Sequence, residues 1–158
     1  VESHRDLATL ELASALLAHA RFSRLFSAAR SAAALTYDID SSVQALGNLG
    51  VVAVRCTTTR AQAPEVLALL TAQVRSLVAS GPGEEELQAA RRFVAFQQTR
   101  LRDQPAQWSQ DMAVWLGNFG PGILDLSLEQ TLHSIGVQEM GVFMSALMAR
   151  SAMLAVGQ

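Results

Sequence analysis

Between Arg5 and Leu17 apolar residues dominate, and Leu7, Leu10, Ser14 and Leu17 recur at helical spacing behind an acidic Asp6, a pattern that predicts a first helix. Ala18 to Arg21 carries no periodicity. Ser23 then offers an N-cap to a second, short helix through Leu25, Phe26 and Ala29 to about Ala32. The period next changes to two. Leu35, Tyr37, Ile39, Ser41, Val43 and Ala45 alternate with Thr36, Asp38, Asp40, Ser42 and Gln44, as in a strand with one wet side. Gly47 to Gly50 makes a turn and Val51 to Thr59 is a β-branched run, so the pair reads as an antiparallel hairpin.

From Ala61 to Ser80 the residues Val66, Leu67, Leu70, Val74, Leu77 and Val78 share one helical face, and Gly81-Pro82-Gly83 stops the helix. Glu84-Glu85-Glu86 opens the next, running to about Asp103 with Leu87, Ala90, Val94 and Leu101 inward. Pro105 opens another, in which Trp108, Met112, Trp115, Leu116 and Phe119 share a face before Gly117, Gly120, Pro121 and Gly122 break it. Short helices follow at Leu128 to Ile135 and at Val137 to Met148. A last strand is expected at Ser151 to Val156, apolar on both faces. The expected class is α+β, a mixed or antiparallel sheet with helices packed on one face, in one domain over 1–158. Three strands are few for a sheet with a doubly buried member, so the first strand is expected from upstream sequence or another chain.

Composition sharpens this picture. Of 158 residues 50% are hydrophobic and 16% charged, against about 25% charged in average soluble domains. Such a chain folds and expects to be covered by something else. All twelve basic residues are arginines, spread out under a net charge of −2, which argues against a nucleic-acid-binding stripe. No stretch has the ~20 large apolar residues of a membrane span. The lone Cys56 excludes an internal disulfide. Compartment stays open, with bacterial cytoplasm or periplasm favoured.

The chemistry-bearing motifs are few. His4, His19 and His133 are scattered and none belongs to H-E-x-x-H or H-x-x-E-H, so no zinc site and no catalytic residue is expected in this chain. Cys56, inside a β-branched run, reads as a packed structural residue. Asp38 and Asp40 share a strand face that could meet a cation or simply water. Glu84 to Glu86 reads as a solvated first turn, and the Trp108, Trp115, Phe119 stripe as core or interface.

Phe22-Ser23-Arg24-Leu25-Phe26-Ser27-Ala28-Ala29-Arg30 followed by Leu35-Thr36-Tyr37 resembles a signature in the C-terminal half of the pitrilysin/insulinase-type zinc metallopeptidases. Gly47 to Val52, Gly81 to Arg91, and Leu126 to Glu129 with Ile135 to Glu139 resemble later segments of the same family in the same order. The family includes the mitochondrial processing peptidase, the core subunits of respiratory complex III and bacterial heterodimeric peptidases. The resemblance implies the non-zinc half-domain of a metallopeptidase clamshell. Zinc and the catalytic residues would then lie on a partner domain or subunit, with a peptide as substrate. It also implies substrate-binding roles for Arg30 and Tyr37, which match in type and spacing a pair that holds the peptide backbone. A structural or assembly subunit like the complex III core proteins is the alternative. Ala18-His19-Ala20 in place of the family's glycine run, and Ala34 before Leu35, are departures near that pair.

Overall fold

A computed structural model describes residues 4–19, 22–31, 38–46, 49–120 and 128–150. The first helix, α1 (His4–Ser14), continues without a break into a π-helical turn at Ala15–His19. Periodicity is lost at Ala18 because the chain winds wider there. Ala15, Leu16, Leu17 and Ala18 are all buried. So is nearly every described side chain from Leu7 onward, Glu11 being the half-buried exception. α1 is the central helix, touching the hairpin on one side and helices on the other.

α2 (Arg24–Ser31) starts where Ser23 predicts: the Ser23 hydroxyl accepts a bond from the Phe26 N–H at 3.4 Å, and its carbonyl accepts from the Ser27 N–H at 3.0 Å. Strands β1 (Asp38–Leu46) and β2 (Leu49–Thr57) pair antiparallel, Ile39 opposite Cys56, Ser41 opposite Val54 and Val43 opposite Val52. These pairs form the inward face, with Ile39 and Ser41 buried and Val52, Val54 and Cys56 packed against the core. Asp38, Asp40 and Gln44 alternate onto the other face, the side the sequence marks as wet. Ser41 ties the hairpin to α1: its hydroxyl donates to the Ser14 carbonyl at 2.8 Å and lies 2.9 Å from the Ser14 hydroxyl. Its only proton is thereby used, so Ser14 is the donor of the second bond and neither buried hydroxyl is orphaned. The early part of β1 expected at Leu35 to Tyr37, the turn at Gly47 and Asn48, and the terminal strand at Ser151 to Val156 lie outside the described residues.

Five helices follow: α3 (Ala63–Ser80), α4 (Glu84–Arg102), α5 (Pro105–Phe119), α6 (Leu128–Ser134) and α7 (Val137–Ala149). α3 ends at Gly81 with φ +67°, a left-handed value that glycine adopts without strain. Gly117 does not break α5, which runs on to Phe119 and stops at Gly120, φ +74°. The core joins Leu12, Leu16 and Leu25 to Leu77 of α3, Leu87 and Val94 of α4, Leu132 of α6 and Met140 and Met144 of α7. The described architecture is α+β: a two-stranded antiparallel sheet with α1 against it, α4, α6 and α7 packed on α1, α3 packed on α2 and α7, and α5 beside α4 and β1.

Candidate functional site

The shortest helix of the N-terminal half, α2, carries the sequence signature. Eight residues are too few for a helix to persist on propensity alone, so α2 must be held by what it touches. Leu25 is 1% exposed in the core. Phe22, just before the helix, meets Phe93 of α4 edge to face, ring centroids 6.1 Å apart at 76°.

The strongest tie is ionic. Arg24 donates from Nε to Glu86 Oε1 at 2.8 Å and from Nη2 to Glu86 Oε2 at 2.9 Å, a two-pronged pair. The same guanidinium reaches the Gly81 carbonyl at 2.9 Å and the Ser80 hydroxyl at 3.1 Å, so it also satisfies the end of α3. Glu86 Oε2 in turn accepts the Gly83 N–H at 2.7 Å, closing the first turn of α4 from its third position. One carboxylate thus serves two elements. Its pKa lies below the usual carboxylate range, first because of Arg24 and then because of the Gly83 N–H, against the opposing effect of burial. The Arg24 guanidinium is raised by the same contact.

Glu86 therefore departs from the solvated reading of the Glu84 to Glu86 run. Glu85 is exposed as expected, and Glu84, with 63% of its side chain exposed, accepts from Arg91 and Gln88. Glu86 stands three places after Gly83, where a capping side chain reaches back, a local signal the solvated reading passed over; its ion partner, 62 residues earlier, left no local trace.

Arg30 falls in the last turn of α2, on the helix that Arg24 anchors. Tyr37 lies outside the described residues. A shallow depression of about 390 Å³ lies over the anchor, bordered by Phe22, Arg24, Ser27, Gln73 and Glu86. A second cleft, about 430 Å³, sits elsewhere, between α1, β1, α4 and α5, with Glu11, Ser42, Gln97 and Asp111 on its walls.

Among the described residues no three His, Cys, Asp or Glu side chains come together as a metal site. Asp38 and Asp40 belong to no such group among the described residues, and register places Asp40 opposite Arg55. Cys56 faces the core, and burial pushes its thiol pKa up, the opposite of what a nucleophile needs. No helix among the described residues is long and apolar enough to cross a membrane.

Known proteins match this arrangement. A family model described as the peptidase M16 inactive domain matches residues 1–94. Among solved structures, the inactive peptidase domain of a candidate zinc protease from Bordetella parapertussis superimposes with a TM-score of 0.74 at 17% identity, covering 92% of this chain and 80% of that one. The peptidase M16 inactive domain from Pseudomonas fluorescens does so with a TM-score of 0.69 at 23% identity, covering 89% of this chain and 34% of that one. A conserved protein from Enterococcus faecalis V583 gives 0.73 at 15% identity, over 90% of this chain and 33% of that one. No curated protein matches the chain.

Proposed function

The chain belongs to the peptidase M16 inactive-domain family, and from that premise we propose that it is the substrate-side domain of a two-part zinc peptidase, completing a peptide-binding chamber with a zinc-bearing domain or subunit. The observation that carries this reading is the family match over residues 1–94, the segment that contains both Arg30 and Tyr37. Activating the hydrolytic water is the work of the zinc-bearing half. This chain's own residues bind and orient.

Arg30 and Tyr37 supply a guanidinium and a phenol, both hydrogen-bond donors. Aimed at a peptide carbonyl oxygen, they favour the state in which that oxygen gains negative charge. Burial of Leu25 and the bonds of Arg24 to two separate helix ends support the part assigned to α2. A donor fixed in advance costs no reorganisation when substrate binds.

The test joins the full protein to its zinc-bearing half and replaces Arg30 by Ala or Tyr37 by Phe. Peptide cleavage is expected to fall on the order of 100–1,000-fold, as for loss of one positioned donor. Cleavage at the parent rate would overturn the role. An assembly that forms but cleaves no peptide with either residue in place would favour the structural subunit instead.

A further inference from the structure

Glu86 does more than close the first turn of its own helix. Capping the Gly83 N–H fixes the carboxylate to α4, and both of its oxygens then take the Arg24 fork, so α2 is fixed to the carboxylate. Bonds from the same guanidinium to the Ser80 hydroxyl and the Gly81 carbonyl add two more points of attachment. A planar group held by four bonds to three residues neither slides nor turns, which fixes the first residue of α2 against the α3–α4 corner.

Two neighbouring contacts set the direction of the helix from that point. Phe22 rests edge to face on Phe93 of α4, and Leu25 is buried in the core. These three ties, at Phe22, Arg24 and Leu25, lie at the N-terminal end, whereas Arg30 stands in the last turn. The rise of a helix over the residues from Arg24 to Arg30 makes a lever of about 9 Å. A tilt of about 6° at the anchored end therefore carries the last turn through about 1 Å. A shift of about 1 Å in a positioned group costs catalysis up to roughly 100-fold. We infer that Glu86 is a positioning residue for the substrate-side arginine: acting through Arg24, it sets where α2 presents Arg30 to a bound peptide. This rests on the two-part reading above and adds to it the group that aims its donor.

The experiment is a double-mutant cycle between Glu86→Gln and Arg30→Ala, run on the full protein joined to its zinc-bearing half. Glutamine keeps the shape of the side chain but meets one of the carboxylate's donors with an N–H of its own. Glu86→Gln alone is expected to lower kcat on the order of 10–100-fold with KM little changed, as for an interaction made in the transition state. In the Arg30→Ala background the same substitution is expected to change cleavage by less than about twofold, because the group it aims is gone. Arg91→Met loosens the contact of α4 with α6 and leaves the Arg24 bonds in place, so it controls for lost stability. While folded, it is expected to cleave at the parent rate. Arg24→Lys keeps the charge and loses the fork, and is expected to reproduce the Glu86→Gln defect even where that variant fails to fold. Cleavage by folded Glu86→Gln or Arg24→Lys at the parent rate, equal losses in the two backgrounds, or a matching loss in folded Arg91→Met would each overturn the proposal. Arg30→Ala at the parent rate would instead overturn the substrate role itself and leave Glu86 with capping alone.

Discussion

α1 with its π-turn and α5 are helical segments of almost equal length, sixteen and fifteen residues, and α1 is the more charged of the two, with Arg5, Asp6 and Glu11 against Asp111 alone. Yet α1 lies at the centre of the core while α5 has no buried side chain among those described. Composition therefore does not set depth. α1 is buried because a hairpin and three helices converge on it, and α5 is exposed because, among the described residues, it packs mainly against α4 and β1. The difference separates residues that hold this domain together from residues that lie along its edge.

The sharpest test of that contrast is a matched pair of truncations. Leu12→Ala, at a fully buried position in α1, is expected to cost about 2–5 kcal/mol in denaturant unfolding, whereas Leu116→Ala in α5 should stay within about 0.5 kcal/mol. Similar losses at the two sites would dissolve the distinction.

Arg91 probes the core side next. Its buried guanidinium donates to the Leu132 carbonyl at 3.1 Å and the Ile135 carbonyl at 2.6 Å, closing the end of α6 against α4. Arg91→Met leaves those carbonyls without their donors and is expected to cost about 2–4 kcal/mol by the same measurement. Arg92, exposed one residue later, should tolerate Arg92→Met with little change.

Arg24→Gln is expected to cost less, about 1–2 kcal/mol, because the ion pair it breaks is only partly buried. It should also alter the response to acid. Glu86 is depressed in the folded state, so its contribution is complete above the ordinary glutamate range near pH ~4.3 and is lost as pH falls through the lower folded value. The parent protein should therefore lose more stability between neutral and acid pH than Arg24→Gln does. Parallel acid titrations would remove the ion pair from the account.

Cys56 gives the smallest effect. Its raised thiol pKa predicts slow alkylation at neutral pH, with the rate rising at higher pH than for an unhindered cysteine. Reaction as fast as that of a free thiol would mean that the inward face of β2 is open.

Much of this architecture was legible in the sequence because its signals are local. Ser23 marked the start of α2, Gly81 the end of α3 and Pro105 the start of α5, and Leu87, Ala90 and Val94 on the inward side of α4 followed from spacing alone. The π-turn was not legible, since widening a helix leaves no residue signature in an alanine and leucine run. The Arg24 to Glu86 and Arg91 to Leu132 bonds were hidden for a different reason: each spans more than forty residues. Nothing local sets Arg91 apart from Arg92 beside it; the end of α6 does. The α5 stripe was read as core or interface, a choice that periodicity cannot make because both bury the same kind of face. The side chains of Trp115 and Phe119 lie outside the described residues. As for the candidate site, placing Arg30 on a helix needed only the pattern around Ser23, while the anchoring of that helix needed the whole fold.

That anchoring bears on the order of assembly. A segment of eight residues has no helical life of its own, and the carboxylate that fastens it is 62 residues further along. Closing so long a loop carries an entropy cost that the local turns do not, so α2 is held in its shape only once the α3–α4 corner is in place. A chain opened at that corner thus loses α2 as well, so damage at the α3–α4 turn reaches a segment far away in sequence.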